Sequence, residues 1–193
     1  GAYFVRAAPL VNPVTAGVTT RVGFNALSAE FPAPSGIVDH RLRRATTNRL
    51  EVEAGMVEFG GAYANLLGQA MSRDGRFGVA GGIVLQPYRH LASGARGKQY
   101  DVGFVPEMKI SDATSIVGMV SYGTSKYWGE FLHTPSTNML PPKLKFPSRY
   151  AASWSDWDVG NFNTGLVAKT RTGRWRVQAS AFQSRNQADP SRY

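Results

Sequence analysis

Glu51 and Glu53, two residues apart, are the nearest this chain comes to a pair of acid–base groups, since alternate residues of an extended strand share a face. As lining of a wet face they need no catalytic role. The three histidines, His40, His90 and His133, are too dispersed for the usual metal-ligand spacings, and there is no cysteine for a thiolate or a disulfide. No Gly-Xaa-Ser-Xaa-Gly elbow, Walker-type loop or dinucleotide fingerprint occurs. The sequence therefore points to no enzyme, no cofactor and no resident metal. What remains is binding chemistry. Tyr88-Arg89-His90 and Tyr127-Trp128 group aromatic rings with cations, which can hold an anionic ligand through cation–π contacts and charge-assisted hydrogen bonds. Tyr127, Trp128 and Trp175 also suit the aromatic girdle of a membrane barrel, a role that needs only an amphipathic ring at a strand end.

The elements that must position these groups are strands. Trp175, Val177, Ala179 and Ala181 alternate with Arg176, Gln178 and Ser180, so an extended segment there has one oily and one polar face. The pattern recurs from Arg49 onward and predicts about seven strands, over residues 49–59, 62–72, 76–87, 100–110, 115–127, 158–170 and 174–184. Leu50, Val52, Ala54 and Met56 form the oily side of the first, opposite Glu51 and Glu53. Ala62, Ala64, Leu66 and Ala70 do so in the second, and Phe77, Val79, Ile83 and Leu85 in the third. The fourth is the clearest, with Tyr100, Val102, Phe104, Met108 and Ile110 against Asp101, Gly103, Glu107 and Lys109. The fifth is ambiguous, because Val117 and Met119 oppose Ile116, Val120 and Tyr122. In the sixth, Phe162, Leu166 and Ala168 face outward.

Turns read as Arg73-Asp74-Gly75-Arg76, where Asp-Gly supplies the positive φ of a tight hairpin, Ser111-Asp112-Ala113-Thr114, and Arg171-Thr172-Gly173. Residues 88–99, with Gly94 and Gly97, read as a long loop, and residues 128–157, with Pro135, Pro141, Pro142 and Pro147, as a longer one. From the second strand on, connections then run short, long, short, long, short. In an antiparallel meander the short ones share one rim and the long ones the other, as in outer-membrane barrels.

Composition agrees. At 193 residues, with 21 glycines, 11% aromatic residues and few helix-period stretches, the chain reads as a single all-β domain in size. The net charge of +9 does not predict nucleic-acid binding. Only Arg41, Arg43 and Arg44 approach a run, the other cations sit singly in expected turns and loops, and phosphate-backbone binding wants a contiguous basic face. An anionic partner such as lipopolysaccharide phosphate is compatible. There is no apolar stretch long enough for a transmembrane helix and no visible signal peptide, and a barrel needs no such helix.

Residues 1–48 differ in texture, with Pro9, Pro13, Pro32 and Pro34 and only short apolar pieces. Arg21-Val22-Gly23-Phe24, followed by Phe31-Pro32-Ala33-Pro34-Ser35-Gly36-Ile37-Val38-Asp39-His40-Arg41-Leu42-Arg43, resembles the end of the plug domain of TonB-dependent outer-membrane receptors. Pro34-Ser35-Gly36-Ile37-Val38-Asp39 matches the Pro-Gly-Gly-hydrophobic-hydrophobic-Asn segment that precedes the barrel, with Ser35 for the first Gly and Asp39 for Asn. The Tyr-Gly pair usual before the loop is absent.

The resemblance implies an antiparallel up-and-down transmembrane β-barrel, present in part, with residues 1–48 the C-terminal part of the plug and residues 49–193 the first barrel strands. It implies a fragment, because about seven strands cannot close such a barrel. It implies a receptor in the Gram-negative outer membrane that binds a scarce ligand such as an iron–siderophore complex. The ligand is imported when the TonB energy-coupling protein pulls on the plug, and no chemistry is done on it. By position in the family, Glu30 and Phe31 fall in an apical plug loop, while Tyr88, Arg89, His90, Tyr127 and Trp128 open the outward loops; these are the expected ligand contacts. A passive porin-like barrel would keep residues 1–48 out of the lumen or join them to the wall. A soluble all-β binding module would pack Val102, Phe104 and Ile110 against a second sheet.

Overall fold

The computed structural model describes residues 12–21, 37–57, 60–90, 95–128 and 156–188. Among them the chain is all-β. A 3-10 turn, Asn12–Val14, leads into β1, Thr15–Arg21, which pairs antiparallel with β2, Ile37–Leu42, in a small sheet of its own. Seven further strands form a second sheet: β3 Arg49–Val57, β4 Gly61–Met71, β5 Phe77–His90, β6 Arg96–Lys109, β7 Thr114–Trp128, β8 Asp156–Thr172 and β9 Trp175–Ala188. Each pairs antiparallel with its neighbour in sequence, so the sheet is a pure meander. It is not closed, and β3 and β9 are its edges.

Register carries the alternation across all seven strands. Val52 pairs with Leu66, Leu66 with Ile83, Ile83 with Val102, Val102 with Tyr122, and Tyr122 with Phe162, so the oily side of every strand falls on one face. Trp175 and Val177 continue that face on β9, through the pairs with Thr172 and Thr170. The face is exposed: Val52 is 73% accessible, Phe104 45% and Leu166 50%. Nothing among the described residues covers it.

The opposite face is where the N-terminal segment packs. Val14 is fully buried against Val105, Val117 and Met119, with Leu42 beside them. Gly103 makes room for it, because a Cβ there would lie 2.6 Å from Val14 Cγ1. This settles the ambiguous strand: Ile116, Val120 and Tyr122 face outward with the oily band, and Val117 and Met119 are apolar because they meet Val14. Residues 43–48 then run along the same sheet to β3. Arg43 N–H donates to the Val14 carbonyl at 2.8 Å, Arg44 forms a bidentate ion pair with Glu107, Thr46 N–H donates to Gln69 Oε1 at 3.0 Å, and Met71 N–H to Asn48 Oδ1 at 2.6 Å.

One expectation is corrected. Residues 88–99 are mostly strand, not a long loop: β5 continues to His90 and β6 begins at Arg96, after an irregularity between Gln86 and Arg89. The glycines that signal a loop in sequence have a packing use here, since Gly97 leaves the space that the ring of its cross-strand partner Tyr127 fills. Consequently the alternation of short and long connections reduces to one long connection, residues 129–155, on the rim shared with 58–60 and 91–95. The other rim carries 72–76, 110–113 and 173–174. At its first turn Gly75 has φ 67°, as Asp-Gly requires.

Candidate functional site

Two clusters of binding chemistry result, one on each face. The first lies on the exposed face, at the end of β5, β6 and β7 nearest the long connection. Lys98 and Lys126 are direct cross-strand partners, and the next rung on that face pairs Arg96 with Trp128. Lys98 Nζ lies 5.7 Å and Lys126 Nζ 5.9 Å from the centre of the Trp128 ring. Lys126 also donates to Asp158 Oδ2 at 2.9 Å. A shallow recess of about 730 Å³ is lined here by Tyr88, Arg96, Lys98, Tyr100 and Trp128. The arrangement offers cations and aromatic rings at the border of an apolar surface, suited to an anion attached to something oily.

The second cluster is on the packed face of β7 and β8. Ser121 and Asn163 are direct partners and both are buried. Asn163 Oδ1 accepts from Ser184 Oγ at 2.7 Å, while Asn163 Nδ2, Ser121 Oγ and Asn161 Oδ1 have no hydrogen-bond partner among the described residues. Buried polar atoms without partners are costly, so this patch is chemically suited to polar matter coming against it. Phe182, on the same face of β9, lies over Gly165. Further along, Asp101 is buried and accepts from Gln99 Nε2 at 2.8 Å.

The sequence-derived residues divide among these places. Tyr88 and Trp128 come together on the exposed face. Tyr127 is on the opposite face, beside Gly97. Arg89 and His90 end β5, paired through the backbone with Gly97 and Arg96. Glu30 and Phe31 lie outside the described residues. Glu51 and Glu53 go to different partners: Glu51 meets Arg49 at 2.5 Å, and Glu53 accepts from Tyr63 Oη at 2.9 Å and Asn65 Nδ2 at 3.1 Å. Among the described residues no group of three or more His, Asp or Glu could hold a metal ion.

Lys98, Lys126, Ser121, Asn161 and Asn163 were not singled out from sequence. Lys98 falls in the expected loop 88–99 but sits within β6, whereas Lys126 lies in β7, inside the strand expected over 115–127. The signal was there: Lys98-Gln99-Tyr100 and Lys126-Tyr127-Trp128 place each lysine two residues from an aromatic, on the same face of its strand. The second signal is Asn161-Phe162-Asn163, two amides flanking an outward ring. Compared with known proteins, the chain matches no family model, no curated protein and no solved structure.

Proposed function

We propose that the chain forms wall and interior of a TonB-dependent outer-membrane receptor that imports a scarce ligand such as an iron–siderophore complex. One observation carries the reading: seven consecutive strands put their large apolar side chains on an exposed face, while the other face receives the N-terminal segment. In water such a face is a liability; against acyl chains it is a requirement. On this reading residues 12–14 and 43–46 are plug contacts with the barrel interior. The position of this segment favours a receptor over a passive barrel, which would leave the interior clear. The exposure of Phe104 and Ile110, 45% and 53%, speaks against a soluble sandwich, in which a second sheet would cover them.

Within this reading Ser121, Asn161, Asn163 and Tyr127 face the interior and are the described candidates for ligand contact. Tyr88 and Trp128 belong instead to the girdle, toward outer-membrane lipid and lipopolysaccharide. Partners would be the ligand and the TonB energy-coupling protein.

The wall reading is tested by producing residues 1–193 with and without detergent. Aggregation in buffer and a defined species only in micelles are expected; a monodisperse monomer that melts cooperatively in buffer overturns it. The uptake reading is tested by deleting the encoding gene and supplying iron only as single ferric siderophores. Loss of growth on one of them is expected, and unchanged growth on all overturns iron uptake without touching the wall.

A further inference from the structure

We infer that the exposed face of β5, β6 and β7 is a binding site for a phosphorylated acyl lipid, with the phosphate at Lys98, Lys126 and Arg96 and an acyl chain running toward a glycine-floored groove. The inference rests on the wall reading above and names a partner for that face.

Lys98 and Lys126 stand directly opposite each other on adjacent strands, an arrangement that costs stability because like charges repel across about 5 Å. Among the described side chains Asp158 compensates only one of them, and Arg96 adds a third cation one rung further on. A phosphate supplies several acceptor oxygens and negative charge in one group, and it fits between two ammonium groups as a carboxylate on one side does not. Trp128, beneath both lysines, and Tyr88 and Tyr100, along the recess, have the amphipathic character of residues that sit at headgroup level.

Below the cations, on the same face of β6, come Tyr100, Val102 and Phe104. Phe104 borders a groove of about 640 Å³ that also involves Leu50, Leu66 and Ile83, with Gly68, Gly81 and Gly82 as its floor. The floor cannot be filled by side chains. Gly81 and Gly82 have φ 153° and 155°, and a Cβ would lie 2.1 Å from the Gly103 carbonyl oxygen or 2.0 Å from that of Leu66. From Lys98 to Phe104 is six residues, about 20 Å along the strand. With the ~40° strand tilt of membrane barrels this becomes a depth of about 15 Å, one leaflet of a ~30 Å hydrocarbon core. Headgroup site and groove are therefore one lipid length apart.

The test uses residues 1–193 folded in zwitterionic micelles, with binding of lipid A, dephosphorylated lipid A and inorganic phosphate followed by native mass spectrometry. Lipid A should bind, Lys98→Gln and Lys126→Gln should each weaken it about fivefold, and Lys98→Arg should not. Asp158→Asn should tighten it severalfold, a gain that loss of folding cannot imitate. Equal binding of phosphorylated and dephosphorylated lipid, or weaker binding by Asp158→Asn, overturns the site while leaving the wall reading intact. Inorganic phosphate bound with the same lysine dependence, and lipid A bound no better, overturns the lipid source. Failure of the chain to enter micelles at all overturns the wall reading, and this inference falls with it.

Discussion

Phe104 and Val105 are neighbours in β6, yet Phe104 is 45% exposed and Val105 1%. The contrast repeats across the sheet: Val120 and Tyr122 are exposed, whereas Met119 and Ser121 between and beside them are buried. Most of the larger hydrophobic side chains lie on the open face, while the packed one is rich in valine, alanine, glycine, serine and asparagine, with Met119, Tyr127 and Phe182 as its larger members. A water-soluble sheet has the reverse order, because burying a large apolar side chain is worth about 1.5–3 kcal/mol. On the proposed reading the two faces are matched to two environments, acyl chains on the open side and the N-terminal segment on the packed one.

The most forceful way to break this comparison is to put the same charge on each face. Val105→Arg should destabilise the fold in any solvent, because a guanidinium would replace a buried side chain packed with Val14. Phe104→Arg discriminates between solvents. In a bilayer it should cost about 2–4 kcal/mol, as a cation near the midplane of a barrel does, whereas on a wet surface it should change stability by less than about 0.5 kcal/mol. Urea titration of the chain refolded into phosphatidylcholine vesicles measures both. Equal tolerance of Phe104→Arg there would mean that the open face is not lipid-facing.

A smaller effect sharpens the other half. The N-terminal segment buries Pro13 and Val14 completely, and Val14 is the larger, so Val14→Ala should cost about 2 kcal/mol of docking. Arg44→Gln should cost about 1–2 kcal/mol, since Glu107 is buried and would lose its ion pair, while Arg44 itself is half exposed and partly screened. Limited proteolysis between β1 and β2 reads both: faster cleavage with the seven strands still paired is expected. Unchanged cleavage in both variants would mean that the segment is held by something other than these two contacts.

Much of this organisation was legible in the sequence. Strand alternation alone located all seven strands of the large sheet and the correct outward residues in six, because a period of two is a property of the backbone and survives any tertiary context. It failed at β7, where both sides are apolar for different reasons: Ile116 and Val120 for the open face, Val117 and Met119 for Val14. It failed again at residues 88–99, where Gly94 and Gly97 read as a loop although Gly97 is needed for the Tyr127 ring. Lys98 is misplaced for the same cause, whereas Lys126 falls within the expected fifth strand. The sites were less legible than the strands, because pairing Ser121 with Asn163 or Lys98 with Lys126 needs the register, which no local pattern contains.

The smallest expected effect concerns the short-turn rim, where the comparison of faces no longer applies because both faces end in water. Asp74 accepts hydrogen bonds from Ser72 Oγ at 2.6 Å and from Arg76 N–H at 3.1 Å, and Ser72 Oγ in turn accepts from Phe77 N–H at 2.9 Å. The Ser72 hydroxyl first, then the Arg76 amide, favour the charged carboxylate and hold its pKa below the ordinary aspartate value. A depressed carboxylate pKa stabilises the folded turn at pH values above the unfolded pKa of about 3.9, and that contribution is lost as pH falls through the lower folded value. The turn should therefore keep its geometry at neutral pH and loosen only in acid. Asp74→Asn should remove this pH dependence while leaving the strands paired. Carbon-detected NMR titration of the Asp74 carboxyl in micelles should give a midpoint below about 3.9. A midpoint above that value would place the turn in a less polar setting than water and blur the boundary between rim and open face.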